Sequence, residues 1–78
     1  MTKQEIIDAG FEPLNYVAIR IEGELKYKLI DKILAYGIYF FEKRYQGLKS
    51  VFIRYESIES IRALNVFEVL WLKLRGEL

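Results

Sequence analysis

The first residues of the chain carry helix signals at both ends of a short segment. Thr2 is followed three residues later by Glu5, which is the spacing of a capping box. Gly10 suits the position just after a helix, and Pro13 ends any helical tendency. The pattern predicts an N-terminal helix within residues 1–12, followed by an α+β core over residues 14–75 of a single domain.

Residues 15–22 alternate between two faces. Val17, Ile19 and Ile21 fall on one face, and Tyr16, Ala18, Arg20 and Glu22 fall on the other. A period of two is typical of a strand that is buried on one face only. We therefore predict a strand that ends at Gly23.

The segment from residue 24 to residue 36 fits two structures. Leu29, Ile33 and Tyr36 belong to one helical stripe, and Gly37 suits the position after the end of a helix. We therefore predict a helix that ends at Gly37. A strand is the alternative, because residues 24–29 also alternate.

The second half of the chain predicts a hairpin, a helix and a last strand. Residues 38–45 and 48–55 flank Gln46-Gly47, where glycine supplies the positive φ of a two-residue turn. Ser57 suits the N-cap of a helix over residues 57–64. Residues 66–74 are rich in residue types that favour strands, although one helix from Ser57 to Leu74 is the alternative.

The resulting order, a short helix and then βαββαβ, predicts a ferredoxin-like α+β sandwich with both later helices on one face of the sheet. The other face is open. The alternation of the predicted strands places aromatic and basic side chains on this open face: Tyr16, Arg20, Tyr39, Phe41, Lys43, Tyr45, Phe52, Arg54, Trp71 and Lys73.

This open face suits two kinds of partner. Aromatic residues and Arg are enriched at protein interfaces, which favours self-association or another protein. Aromatic rings also stack on unpaired bases while Lys and Arg hold phosphates, so single-stranded RNA or DNA is the alternative partner. Hydrophobic residues make up 53% of the 78 residues, which is more than one small core buries. We therefore favour a homo-oligomer, with a dimer as its simplest form.

Composition excludes several classes of function. The chain has no Cys and no His, which excludes disulfides, thiolate nucleophiles and imidazole metal ligands. No catalytic constellation remains, so we predict a non-enzymatic protein without a cofactor or a metal. Glu22 and Glu24 flank the turn at Gly23 and supply carboxylate oxygens that suit a divalent cation, although we favour their interpretation as ordinary solvated turn residues.

Charge and hydropathy bear on location. The net charge of +1 is too low for a general polyanion binder. No segment approaches the roughly 20 apolar residues of a membrane helix, and the first residues lack a signal-peptide core. We predict no membrane partner and a cytoplasmic location, in agreement with the absence of Cys. The abundance of Ile, Lys and Glu favours a thermophilic source.

From Val17 to Leu72 the pattern resembles an ACT-type regulatory domain. The run Leu34-Ala35-Tyr36-Gly37-Ile38 is similar to that family's leucine-alanine-two residues-glycine-isoleucine step from helix to strand, and Gly23 stands where the family has its turn glycine. The resemblance implies a ferredoxin-like fold, dimers, and a small ligand, often an amino acid, near the first strand–helix turn, here Glu22, Gly23 and Glu24.

Two further resemblances concern RNA. The predicted element order and aromatic sheet face resemble RNA-recognition-motif domains, which implies binding of single-stranded RNA. With residues 25–36 as a strand, the chain instead resembles an Sm-like small β-barrel: a short helix, then bent strands, the first three within residues 16–41. That resemblance implies a ring that binds RNA, and it is the alternative fold.

Overall fold

The structure, a computed structural model, describes residues 2–44 and 47–78, apart from the side chains of residues 43 and 44. Helix α1 spans Lys3–Asp8 and helix α2 spans Val66–Leu74. Between them come β1 Tyr16–Ile21, β2 Glu24–Ile33, β3 Gly37–Arg44, β4 Gly47–Arg54, a 3-10 turn at Tyr55–Ser57, and β5 Ser60–Ala63. The strands form one antiparallel sheet in the order β4-β3-β2-β1-β5.

The α+β class is confirmed, whereas the predicted βαββαβ order of a ferredoxin-like sandwich is not what the structure has. The strands follow one another along the chain, with one helix before them and one after. Helix α1 lies within the predicted range. The side-chain oxygen of Thr2 accepts a hydrogen bond from the Glu5 amide at 3.2 Å, and Ile6 is fully buried.

The predicted helix over residues 24–36 is wrong, because Glu24–Ile33 forms β2 and residues 34–36 lie in the loop before β3. Glu22 and Gly23 both have positive φ, at 51° and 78°, and Ile21 pairs with Glu24. Two positive φ values in succession make a tight hairpin turn, which sends the chain straight back along β1. The apolar residues of this segment are spaced like those of a helix because the pairing of β2 with β3 shifts between Ile30 and Lys32. This bulge puts Ile30 and Ile33 against the same core.

The predicted elements after residue 57 are also wrong. Ser57 ends the 3-10 turn, and Ser60–Ala63 is a strand that pairs with β1. Residues 66–74 form α2 instead of a last strand. Asn65 caps this helix, because its side chain accepts from the Glu68 amide at 2.8 Å while the Glu68 carboxylate accepts from the Asn65 amide at 3.2 Å. The alternative prediction, a single helix from Ser57 to Leu74, is therefore correct only for residues 66–74.

The core lies between α1 and one face of the sheet. It consists of buried side chains from α1, from strands β1, β2 and β3, and from the turn region before β5: Ile6, Val17, Ile19, Ile30, Ile38, Phe40, Tyr55 and Ile58. The Tyr55 hydroxyl donates a hydrogen bond to the Leu34 carbonyl oxygen, which ties the 3-10 turn to the loop between β2 and β3. One face of the sheet is thus covered by the core, and the opposite face is the one that can contact a binding partner.

Candidate interaction surface

We call the sheet face opposite α1 the outer face. Directly paired residues in an antiparallel sheet share a face, and neighbours along a strand alternate. By this register the outer face carries six of the predicted partner-binding residues: Tyr16, Arg20, Tyr39, Phe41, Phe52 and Arg54. The sequence therefore predicted correctly that these six residues share one face of the sheet. Lys43 pairs with Leu48 in the same register, but its side chain and the whole of Tyr45 lie outside the described residues.

The open part of the outer face is built around an aromatic pair. The rings of Tyr39 and Phe52 lie 5.1 Å apart, centroid to centroid, at an interplanar angle of 46°. Lys32 pairs with Tyr39 in the register and is exposed to solvent. Arg54 is also exposed and forms an ion pair with Glu56 at 3.1 Å. This arrangement offers two rings and two cations to a partner, with one of the cations already matched by a carboxylate.

The other end of the outer face lies against α2. Lys73 on α2 holds its ammonium nitrogen 5.1 Å from the centre of the Tyr16 ring, at a distance that permits a cation–π interaction. Tyr16 and Phe41 line a cavity of about 680 Å³ whose wall also includes Lys73 and residues 76–78. These two aromatic residues therefore border a cleft beside α2 instead of an open sheet.

The predicted outward strand positions of Trp71 and Lys73 are corrected, because both residues lie on α2. Trp71 remains 61% exposed. It belongs to a row of apolar side chains that cover the solvent side of the helix: Val66, Phe67, Leu70, Trp71 and Leu74, with exposures from 55% to 84%. We call this row the α2 stripe. The spacing of its members, at i, i+1, i+4, i+5 and i+8, is that of one side of a helix.

The buried side of α2 is narrower than its exposed apolar side. Leu72 is 5% exposed and Val69 is half-buried. Two hydrogen bonds of 2.9 Å from the Arg62 guanidinium to the Glu68 carboxylate attach the helix to β5. These bonds, together with the hydrogen bond from the Asn65 amide, lower the pKa of the Glu68 carboxyl. The helix is thus held by a few contacts on one side while its larger apolar side faces solvent.

A groove lies beside the α2 stripe. It has a volume of about 340 Å³, and its lining includes Val66 and Leu70 of the stripe, together with Leu14 and Leu64. Leu14 is itself 69% exposed. The groove therefore extends the exposed apolar surface from α2 towards the start of β1.

At the predicted small-ligand turn, Glu22, Gly23 and Glu24, both backbone polar groups of Gly23 are hydrogen-bonded within the chain. The Gly23 amide donates to the Glu59 carboxylate at 3.0 Å, and Arg20 donates to the Gly23 carbonyl oxygen at 3.0 Å. In the part of the chain that the structure describes, no group of three or more acidic residues is arranged to hold a metal ion. A ligand at this turn stays a prediction.

The sequence interpretation missed the α2 stripe because it treated residues 66–74 as a strand. Its signal was present: Asn65 followed three residues later by Glu68 is a helix-start pattern, and the apolar residues after it repeat with helical spacing.

Over residues 2–44 and 47–78 no helix has the length and hydropathy needed to cross a membrane.

Comparisons of the chain with protein-family models, with curated proteins and with solved structures found no match. No family is therefore assigned, and the α2 stripe and the outer face are the features from which function is inferred.

Proposed function

We propose that the protein is a non-enzymatic association module that binds another protein chain through the α2 stripe. The observation that supports this most directly is the exposure of five large apolar side chains on one side of a nine-residue helix. Soluble monomers rarely leave a contiguous apolar patch of more than a few hundred Å² uncovered. Aromatic anchors such as Phe67 and Trp71 are the residue types that dominate binding energy at protein interfaces.

The shape of the stripe defines the kind of partner. A convex helical row with an apolar groove along one edge suits a second amphipathic helix, which packs its own apolar side against the stripe. Such a partner presents apolar residues at i, i+3, i+4 and i+7. The stripe has no cluster of hydrogen-bonding groups for a small polar ligand, so we assign it to a protein segment.

The test is selection of helical peptides on the immobilised protein. A displayed library of amphipathic helices is enriched on the wild-type chain and then measured against two variants. Phe67→Asp places a carboxylate in the stripe near the N-terminus of α2, where the helix dipole tolerates it. Tyr36→Asp is the matched control, because Tyr36 is 78% exposed, close to the 82% of Phe67, and lies in the loop after β2.

We expect selected peptides to bind Phe67→Asp at least about 10-fold more weakly than they bind the wild type, because a charge replaces an aromatic anchor. Tyr36→Asp should bind them as the wild type does. Failure of the monomeric protein to enrich any helical peptide, or equal binding of the peptides to the wild type and to Phe67→Asp, would contradict the proposed function.

Nucleic-acid binding is a second candidate, favoured by the Tyr39–Phe52 pair beside Lys32 and Arg54 on the open part of the outer face. The order of elements adds support, since a short helix followed by consecutive antiparallel strands is what the Sm-like resemblance implies. In a ring of that kind the edge strands β4 and β5 of neighbouring copies would pair, because each has one unpaired side in the sheet order.

This candidate is tested by fluorescence anisotropy with single-stranded RNA and DNA of about 15 nucleotides, a length that spans one or two small binding sites. A platform of this type should bind more weakly as salt increases, and Tyr39→Ala should cost roughly 5- to 150-fold in affinity. The absence of binding at low salt, or binding that is unchanged in Tyr39→Ala, would exclude it. A solution mass of six or seven chains would support the ring.

A further inference from the structure

We propose that the partner of the α2 stripe is the α2 stripe of a second copy of this chain, with the two copies related by a two-fold axis. This inference rests on the proposed function and names its partner. A two-fold interface uses the same surface patch on both copies, so it requires a patch that is complementary to itself. Two features of α2 bear on that requirement: its exposed apolar area and the groove beside it.

The first feature is the area. The exposures of the stripe residues, from 55% to 84%, correspond to roughly 600–700 Å² per copy, given about 200 Å² for a large aromatic residue and somewhat less for Leu and Val. A stable interface buries about 800 Å² on each partner. The groove walls at Leu14 and Leu64 supply additional area on the same side. Together with these walls the patch approaches the area that a specific dimer buries, and it is larger than a monomer usually exposes.

The second feature is the groove of about 340 Å³ beside Val66 and Leu70. Convex apolar side chains of one helix pack into concave sites on the facing helix, which is how helix pairs exclude water. The exposed aromatic residues Phe67 and Trp71 supply the convex side chains, and the groove supplies the concave site. Because both belong to the same patch, each copy presents convex aromatic side chains and a concave groove to the other.

The experiment uses Trp71 as the probe, since it is the only tryptophan in the chain and is 61% exposed. Sedimentation velocity and tryptophan emission are measured on the wild type over a range of concentrations, and again on Phe67→Asp and Tyr36→Asp. We expect a dimer whose formation shifts the Trp71 emission to shorter wavelength. Phe67→Asp should weaken the dimer at least about 100-fold, because a two-fold interface contains the change twice, and Tyr36→Asp should leave it intact.

Each other outcome overturns the inference in a recognisable way. A dimer that survives Phe67→Asp places the interface elsewhere, and an assembly of six or seven chains indicates pairing of sheet edges. A monomer whose Trp71 emission shifts only with phosphatidylcholine vesicles, neutral or with added phosphatidylserine, indicates a lipid surface. A monomer that still binds selected helical peptides overturns the second copy as partner but leaves the proposed function standing. A monomer that binds none overturns both.

Discussion

We expect the substitution Gly37→Ala to lower the free energy of unfolding substantially, because the backbone of β4 leaves no room for a side chain at residue 37. Gly37 pairs with Arg54 across β3 and β4, and its backbone lies directly against that strand. A Cβ atom at residue 37 would clash with the Ile53 carbonyl oxygen, lie 2.8 Å from the Phe52 ring and lie 2.9 Å from the Arg54 Cα. Two of these three atoms are backbone, so β4 must move to relieve the overlap.

The cost follows from this geometry. Overpacking a close-packed site costs about 1–3 kcal/mol, and the involvement of backbone puts Gly37→Ala near the upper end, at about 2–3 kcal/mol. A chain of 78 residues has a total stability of roughly 4–12 kcal/mol. The expected decrease in Tm is therefore roughly 10–20 °C, since each kcal/mol shifts a domain of this size by about 4–8 °C.

The assay is urea unfolding followed by far-ultraviolet circular dichroism, with Gly76→Ala as the control. Gly76 has a φ of 78°, and a Cβ there would meet nothing within 4 Å, so its substitution costs only about 1 kcal/mol of backbone strain. If Gly37→Ala loses no more stability than Gly76→Ala, the close approach of β4 to Gly37 is refuted. The same variant should disturb the Tyr39–Phe52 pair, because it displaces the strand that carries Phe52.

Three further predictions concern polar contacts. Tyr55→Phe removes the hydrogen bond to the Leu34 carbonyl and should cost about 1 kcal/mol in urea unfolding; an unchanged midpoint would contradict its structural role. Asn65→Ala removes the cap of α2 and should cost about 1 kcal/mol, with faster amide exchange confined to that helix. The lowered pKa of Glu68 means that its stabilising contribution is present above the ordinary glutamate pKa and is lost as pH falls through the lower folded value. Glu68→Gln should therefore differ from the wild type in urea midpoint at about pH 7 and converge with it at about pH 2, where an unchanged difference would refute the Arg62 contact.

The sequence was sufficient for the elements whose signals are local. The capping pattern at Thr2, the alternation from Tyr16 to Ile21 and the paired strands around Gly47 all correspond to observed elements. Each depends on neighbours within a few residues, so no distant contact is needed to interpret it. Alternation also placed the aromatic residues of β1, β3 and β4 on one face correctly, because the period of a strand fixes which face a side chain occupies.

The rest depended on contacts that a single sequence does not display. A bulge between Ile30 and Lys32 shifts the alternation of β2, and this shift imitates the spacing of a helix. After residue 57, strand propensity at Val66, Phe67 and Trp71 was given more weight than the cap at Asn65. Propensity is a weak guide where a helix is held by a cap and by a remote partner such as Arg62.

The two proposed surfaces are carried by different elements, and that separation decides how they are distinguished. The α2 stripe belongs to one helix whose anchoring contacts are the Arg62–Glu68 pair and buried Leu72. The aromatic pair on the outer face belongs to β3 and β4, which are held by an uninterrupted register from Gly37 to Arg44. Phe67→Asp therefore changes the stripe without changing the Tyr39–Phe52 pair, and Tyr39→Ala does the reverse. If the protein works only by association, Phe67→Asp alone should abolish its function. If it binds nucleic acid and also dimerises, Phe67→Asp should weaken the dimer and Tyr39→Ala should weaken nucleic-acid binding.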